Sequence, residues 1–228
     1  MATRTYFSSI SSQPFFQEKD VHFVYVPGQS LSQQQKSIRN MHQAISEINP
    51  QLKILEISTK SSVPIGNKLS AFNLQISHEG ALANLESVYQ STKVFESGGP
   101  FLDLAYKNSL EAKKDLRLRK SGILKGFQFE GYSWQLSQSP NFYDYLYSRG
   151  VLENNLLSEV ASYDVFTDFA YSNIANKRVG NKSHNCQARS AAILVSLSKV
   201  YGDLAFEEVE RIAFQNSENI VSALTLFD

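Results

Sequence analysis

A short segment, LESVYQSTKVFESGGP at positions 85–100, contains the side chains that are best suited to chemistry. Glu86, Gln90 and Lys93 recur at helical spacing with Tyr89 among them, so a helix would present all of them along one side. A carboxylate can transfer protons, and a neutral amine can attack an electrophilic carbon. The common alternative is a solvent-exposed polar face with a snorkelling lysine, so catalysis requires that this side line a cleft.

The elements around this segment predict one α+β domain with more helix than strand. Alternating apolar residues predict a strand and turn at 20–28, a strand at 52–58 and a hairpin at 123–137. Periodic apolar residues predict helices, which lie at 30–48, 82–97, 109–122, 141–163, 186–201 and 206–214. Ser30 and Ser109 would cap two of these helices, and Gly150 would break the fourth.

Two long segments, 58–74 and 164–185, are predicted to be loops, and loops of this kind often carry functional sites. Residues 1–18 are Ser-rich and predict a loosely held arm. The remaining residues, 19–228, then form a single domain.

Composition excludes several classes of protein and site. The 22 basic and 22 acidic residues balance, so bulk charge does not indicate a protein held to nucleic acid by net attraction. A single cysteine, Cys186, excludes an internal disulfide and a cysteine-based zinc site, and no ligand spacing indicates a metal or other cofactor. Because no signal peptide or membrane-spanning stretch is apparent, we expect a cytoplasmic protein without membrane contact.

Several segments, in order along the chain, resemble the NADAR family. LESVYQSTKVFE resembles its signature helix, in which a Glu and an aromatic residue precede Gln-x-x-Lys-Phe. The flanking segments that resemble the family are LSAFN (69–73), EAKK (111–114), FYDYLYSRGVLENNLLSEV (142–160) and SHNCQARSAAIL (183–194). The resemblance extends over about residues 55–197 and implies that 19–228 is one NADAR-like catalytic domain.

Two further segments, FESGGPFLDL and NCQAR, resemble the branch of this family that is paired with toxins that ADP-ribosylate guanine in DNA. The resemblance implies an antitoxin, a hydrolase that removes ADP-ribose from the modified base without a cofactor. Its partners would be ADP-ribosylated DNA, free ADP-ribose and a cognate toxin.

The family resemblance also implies how Lys93 and Glu86 would act. Lys93 would attack the anomeric carbon, ring opening would give an imine, and water would hydrolyse it. The amine must be neutral, although lysine normally titrates near ~10.4 and a nearby Glu86 carboxylate would raise its pKa further. The conflict is eased if Glu86 exchanges a proton with Lys93 or with the leaving base, so Glu86 is predicted to be the general acid/base.

Other positions are predicted to bind the substrate. They are Ser70, Asn73, Tyr89, Gln90, Gly98, Gly99, Asp168, Asn185, Gln187 and Arg189. Ser70 and Asn73 would bind ribose hydroxyls, and the glycines would present N–H groups to a phosphate. Residues 185–189 open a helix, and a helix N-terminus suits a diphosphate.

Several of these positions have a structural alternative. Ser70 is more often a turn residue that binds its own backbone, and two glycines before a proline usually form only a turn. Tyr89 would either stack on a base or cover the core. Asp168 is equally suited to capping a helix, and Arg189 to pairing with a buried acid.

The basic stretch at 113–120, KKDLRLRK, also has two interpretations. A solvated helix face is the default, and contact with DNA backbone phosphates is the functional alternative.

Other functions fit the same residues. One is an N-glycosidase of small ribosylated metabolites such as riboflavin-pathway intermediates, and another is a module that binds ADP-ribose or a toxin without turnover. An ADP-ribosyltransferase is disfavoured because no segment resembles an NAD-binding signature.

Overall fold

The computed structural model describes residues 1–171 and 185–219, and these residues form three sheets. In chain order the strands are β1 (Ala2–Ser9), β2 (Phe16–Phe23), β3 (Ile54–Glu56), β4 (Gln75–His78), β5 (Ala81–Asn84), β6 (Lys93–Phe95), β7 (Leu124–Phe129), β8 (Tyr132–Gln135), β9 (Val165–Thr167) and β10 (Glu218–Asn219). The α-helices are α1 (Leu31–Ile48), α2 (Pro64–Lys68), α3 (Leu85–Ser91), α4 (Ser109–Lys114), α5 (Arg117–Lys120), α6 (Ser139–Glu153), α7 (Leu157–Val160), α8 (Gln187–Tyr201) and α9 (Ala205–Phe214). The predicted fold class, a helix-rich α+β domain with small sheets, is confirmed.

The first sheet has the order β2-β1-β9-β3 and includes the N-terminus. Strand β1 pairs antiparallel with β2 and β9, whereas β3 runs parallel to β9. Tyr6 and Phe7 point to opposite faces of β1 and enter two different apolar clusters. Residues 1–18 therefore do not form the loosely held arm that their composition predicts, because both faces of β1 are buried.

Strand β9 lies in the segment 164–185, for which the sequence predicts a loop. Its three residues, Val165, Phe166 and Thr167, are all buried. A strand this short shows no periodicity in sequence, and its central place between β1 and β3 comes from tertiary pairing. Its end positions Asp168 next to the C-terminal end of β3. Residues 172–184 lie outside the described part of the chain.

Helix α1 has the predicted boundaries. Ser30 caps it, and a capping box joins the Ser30 and Gln33 side chains to each other's backbone N–H groups. Ile38, Met41 and Ile45 form its buried face. None of the helices in the described ranges is long and apolar enough to cross a membrane.

Helices α6, α8 and α9 contact one another and cover the core. Gly150 does not break α6, contrary to the prediction. A Cβ atom at Gly150 would lie 2.8 Å from a Leu85 side-chain carbon, so the glycine permits a close approach between α6 and α3.

Helix α3 ends earlier than the spacing predicts. It stops at Ser91, and Lys93 begins β6, where it pairs with Phe127 of β7. The second sheet, β10-β8-β7-β6, contains the predicted hairpin as β7 and β8. Glu86 and Lys93 are therefore on different elements, and of the four side chains predicted along one helix side only Lys93 lies outside α3.

The basic stretch forms two short helices, α4 and α5, instead of one. Asn108, not Ser109, caps α4 by accepting from Glu111 N–H at 2.9 Å. Asp115 ends α4 and accepts hydrogen bonds from the backbone and side chain of Arg117. The break leaves α4 free to pack across α3.

Candidate functional site

A cleft of about 380 Å³ opens beyond the C-terminal ends of β3 and β9. Ligands of α/β proteins commonly bind beyond these ends of parallel strands. The cleft is lined by Ser58, Thr59, Lys60, Ser70, Phe72, Glu86, Leu110, Lys113, Asp168, Ala170, Tyr171, Asn185 and Gln187. Five predicted site residues thus come together here: Ser70, Glu86, Asp168, Asn185 and Gln187.

Glu86 is a buried carboxylate in this cleft. It lies in the first turn of α3 with 2% of its surface exposed. Its Oε1 atom accepts a hydrogen bond from Gln90 Nε2 at 2.9 Å and lies 3.1 Å from Lys113 Nζ. These two contacts hold the carboxylate in one orientation, which a group that transfers protons requires.

Within the described part of the chain, hydrogen bonds connect Lys93 to Glu86 through Gln90. Its Nζ atom donates a hydrogen bond to Gln90 Oε1 at 2.8 Å and lies 5.0 Å from the centre of the Tyr89 ring. Burial lowers the pKa of Lys93 to about 8, the Glu86 carboxylate opposes this shift, and the Lys113 charge adds to it. The amine is therefore easier to neutralise than an ordinary lysine, but Lys93 does not line the cleft.

Lys113 approaches Glu86 from α4. Its side chain is 49% exposed, and Nζ lies 5.0 Å from the centre of the Phe72 ring in addition to its contact with Glu86. Its charge also acts on Asp168, opposing the rise in the Asp168 pKa that burial causes. Lys113 is therefore a cleft amine that lies near two carboxyl groups.

Gln187 and Asp168 join three segments that line the cleft. Gln187 Nε2 donates to Asp168 Oδ2 at 3.1 Å, and its Oε1 accepts from Ala71 N–H at 2.6 Å. Asp168 Oδ1 accepts from Ala170 N–H at 3.2 Å. Both side chains are thus partly engaged in holding the cleft walls together. Ser70 is buried, and its Oγ accepts a hydrogen bond from Phe72 N–H at 3.4 Å. This is the turn contact that the structural alternative for Ser70 predicts.

The remaining residues predicted on or near the signature segment lie away from the cleft. The Tyr89 ring stacks on Phe127 with centroids 5.4 Å apart and is 2% exposed, so it covers the core. Asn73 is exposed and donates to Asn67. Gly98 and Gly99 form a turn after β6, in which Phe95 N–H donates to the Gly98 carbonyl at 2.8 Å.

Arg189 points away from the cleft. It forms an ion pair with the buried Asp144 of α6, and its guanidinium lies 5.3 Å from the centre of the Phe16 ring. Both residues line a second cavity, of about 300 Å³, near the β1–β2 turn. Of the two roles that the sequence allowed for Arg189, the structure shows the pairing with a buried acid.

A family model for the DarT1-associated NADAR antitoxin matches residues 2–212. The match covers most of the chain. The chain belongs to this family. No match was found among the curated proteins. A DarT1-associated antitoxin implies a cognate toxin as partner, in agreement with the predicted NADAR resemblance and antitoxin role.

The cleft of this NADAR antitoxin includes residues that sequence reasoning missed as site residues. They are Ser58, Thr59, Lys60, Phe72, Leu110, Lys113, Ala170 and Tyr171. Lys113 was assigned to a basic surface, although it lies inside the EAKK segment that resembles the family. The other residues carry no local pattern, since they meet only when the loops after β3, α2 and β9 converge with helix α4. Among the described residues, no group of three or more His, Cys, Asp or Glu is placed to hold a metal ion.

Proposed function

We propose that this NADAR antitoxin removes ADP-ribose from ADP-ribosylated guanine in DNA by hydrolysing the N-glycosidic bond, and so reverses the modification made by its cognate toxin. The proposal is supported by membership of the DarT1-associated family. The observation that carries it is the Glu86 carboxylate, buried in the cleft and held by Gln90 and Lys113. We also propose that it acts in the cytoplasm, as the sequence predicts.

Cleavage of an N-glycosidic bond passes through a transition state with oxocarbenium character. The departing base needs a proton, and Glu86 would deliver it as general acid. The same carboxylate would then activate the water that completes hydrolysis. Its contact with Gln90 leaves the second oxygen, Oε2, without a hydrogen bond among the described residues and available to the substrate.

A covalent route divides the reaction into two easier steps, in which a lysine amine displaces the base and water releases ADP-ribose. Two lysines accompany Glu86: Lys113 directly and Lys93 through Gln90. The sequence predicts Lys93, and its lowered pKa favours a neutral amine. The cleft geometry favours Lys113 because that amine lies at the carboxylate.

The rest of the cleft suits the ADP-ribose part of the substrate. Asn185 and Gln187 lie at the start of the 15-residue helix α8, where backbone N–H groups attract phosphate. Lys60 adds a positive charge to the same cleft, and Phe72 and Tyr171 add aromatic surface. Ser70 and Asp168 would bind ribose hydroxyls.

The test is to incubate a DNA oligonucleotide carrying ADP-ribosylated guanine with the wild-type protein and with Glu86→Gln. Mass spectrometry should show released ADP-ribose and intact guanine in the wild-type reaction, with a rate lower by about 100-fold to 10,000-fold in Glu86→Gln. Tight binding without product would favour a binding module. Turnover only of small ribosylated metabolites, with release of their free base, would favour the alternative glycosidase.

A further inference from the structure

A second buried carboxylate, Glu56, does not line the cleft but binds both chain segments that enter it. Glu56 is the last residue of β3, and 2% of its surface is exposed. Its Oε1 atom accepts hydrogen bonds from Ser58 Oγ at 2.7 Å and Phe169 N–H at 3.0 Å, and its Oε2 accepts from Thr167 Oγ1 at 2.6 Å. Donors from the ends of β3 and β9 therefore meet at one side chain.

The Glu56 carboxylate takes the place of the next rung of the parallel ladder between β3 and β9. Ile57 N–H donates to the Thr167 carbonyl at 2.8 Å, so a regular parallel ladder would continue with Phe169 N–H donating to the Ile57 carbonyl. Phe169 N–H donates to the Glu56 side chain instead. Because a side chain replaces the backbone acceptor, strand pairing ends here and the cleft opens between the two segments.

The two segments that begin at Glu56 and Thr167 supply a large part of the cleft lining. Their cleft-lining residues are Ser58, Thr59, Lys60, Asp168, Ala170 and Tyr171. Ser58 Oγ, which donates to Glu56, also accepts from Lys60 N–H at 3.2 Å and so fixes the first segment. In the second segment the Asp168 carbonyl accepts from Tyr171 N–H at 2.9 Å, which closes a turn around Phe169. A change at Glu56 is therefore transmitted to both walls.

Asp168 connects this junction to the reacting end of the cleft. Lys113 Nζ lies 3.1 Å from Glu86 Oε1, and the charge of Lys113 also acts on Asp168. The Asp168 oxygens accept from Ala170 N–H and Gln187 Nε2, and each oxygen keeps a lone pair that can accept from a hydroxyl. The ribose bound there is the terminal ribose of ADP-ribose, whose anomeric carbon reacts near Glu86.

We propose that Glu56 is a positioning residue for the substrate, which holds Ser58 and Asp168 at the separation that the terminal ribose requires. This inference rests on the proposed function, in which Asp168 binds ribose hydroxyls, and it adds a residue that the substrate does not touch.

The hydrogen-bond geometry shows which replacements preserve the junction. With an ionised Glu56, the single proton of the Thr167 hydroxyl is donated to the carboxylate, so His42 Nε2, 2.8 Å from Thr167 Oγ1, donates to that hydroxyl. In Glu56→Gln the amide oxygen can still accept from Ser58 and Phe169. The amide nitrogen then donates to Thr167, whose proton turns towards His42. Glu56→Leu retains none of these contacts.

The experiment is calorimetric titration of folded variants with ADP-ribose and with ADP, which lacks the terminal ribose. Glu56→Leu should weaken ADP-ribose binding by about 10-fold to 100-fold and leave ADP binding within about twofold of the wild type. Glu56→Gln should retain both affinities. Glu56→Asp, whose carboxylate is one methylene shorter, makes the same test if Glu56→Leu does not fold, with an expected loss of about fivefold for ADP-ribose alone.

The matched control is Asp144→Leu combined with Arg189→Met, so that no buried charge is left unpaired. Asp144 is also a buried carboxylate that accepts from a serine, Ser190 Oγ at 2.7 Å, but it lies outside the cleft. This double variant should retain both affinities.

Equal losses for ADP-ribose and ADP in a folded Glu56 variant, or no loss of ADP-ribose affinity, would overturn the inference. Absence of ADP-ribose binding by the wild-type protein would overturn it as well. A different result rejects the proposed function: wild-type protein that binds ADP-ribose but releases none from the modified oligonucleotide is not the hydrolase. The two titrations still decide the role of Glu56 in that case.

Discussion

The hydroxyl of Thr167 donates a hydrogen bond to the buried carboxylate of Glu56, with 2.6 Å between Oγ1 and Oε2. Ser58 Oγ and Phe169 N–H donate to Oε1 of the same carboxylate at 2.7 and 3.0 Å. Glu56 thus joins the ends of β3 and β9 next to Asp168, and it holds the backbone from which two cleft walls begin. Burial, helped by the nearby Asp168 charge, raises the pKa of Glu56 to about 7.

This raised pKa predicts that Glu56 reduces stability as pH rises from about 4.5 to about 7. In that interval the folded protein retains a proton that the unfolded chain releases, so the free energy of unfolding falls with increasing pH. The stability of the wild type relative to Glu56→Gln should therefore decrease by about 3 kcal/mol between pH 4.5 and pH 8. Urea unfolding at several pH values measures it.

His42 also contributes to the pH dependence of stability, and its Nε2 lies 2.8 Å from Thr167 Oγ1. Taking the difference between the wild type and Glu56→Gln removes most of this contribution. Burial lowers the pKa of His42 to about 4, so His42 changes stability over an overlapping pH range in both proteins. A difference between the two proteins that stays constant with pH would show that Glu56 does not titrate near neutrality.

A second prediction concerns the ionisation of Lys93. An NMR pH titration of the lysine Nζ nitrogens, with Lys93→Arg for assignment, should give a midpoint near 8 for Lys93 because its amine is buried. Removing the nearby negative charge in Glu86→Gln should lower this midpoint, and removing the nearby positive charge in Lys113→Ala should raise it. Shifts of the same sign in both variants would contradict the arrangement of charges around Gln90.

The sequence predicts elements whose signal is local. Helix α1 has a capping serine and an apolar face over many turns, and its boundaries are confirmed. Glu86 could also be predicted, because the segment that resembles the family signature places it in the first turn of α3.

Predictions about features that depend on tertiary contacts are wrong or lacking. Strands β1 and β9 stabilise each other across about 160 positions of sequence, and neither shows an amphipathic period. The end of α3 at Ser91 follows from the pairing of Lys93 with Phe127, which helical spacing cannot reveal. The sequence predicts Lys93 in a helix and Lys113 on a solvated face. Both predictions are wrong because the positions of these residues depend on tertiary contacts.

Gly99 provides a third prediction, since it fixes the backbone beside Lys93. Its φ is +93°, and a Cβ atom there would lie 2.2 Å from the Lys93 carbonyl oxygen. Gly80 has a similar φ of +79° but no atom within 4 Å of the same position. Gly80→Ala should lower the free energy of unfolding by about 1–2 kcal/mol because of backbone conformation alone. Gly99→Ala should lower it by about 1–3 kcal/mol more because of the steric clash. Equal losses in thermal or urea unfolding would exclude the steric contribution.

The Arg189–Asp144 ion pair gives a fourth prediction. Arg189→Met leaves a buried carboxyl without its cation and should lower the free energy of unfolding by about 3–5 kcal/mol, whereas the double variant with Asp144→Leu should recover most of that loss. Because Arg189 does not line the cleft, the affinity for ADP-ribose, measured by calorimetry on the folded variants, should not change. A loss of affinity in a fully folded variant would instead indicate that Arg189 binds the diphosphate, as the sequence predicts.

The last prediction concerns contact with DNA. Lys114, Arg119 and Lys120 are exposed on α4 and α5, and none of them forms an ion pair among the described residues. Arg117 differs, because it is bound to Asp103 and Asp115 at 2.7 and 2.9 Å. If the exposed cations bind backbone phosphates, each replacement by Gln should weaken binding of the modified oligonucleotide and reduce the salt dependence of log Kd by about 1.

These affinities are best measured in the Glu86→Gln background, where slow turnover leaves the substrate intact. Arg117→Gln is the control, since its charge is already neutralised by two aspartates and its loss should leave the salt dependence unchanged. If the salt dependence of log Kd in all four variants equals that of the Glu86→Gln parent, α4 and α5 form only a solvated face. The DNA would then be held by contacts within the cleft, where Lys60 and Lys113 supply the positive charge.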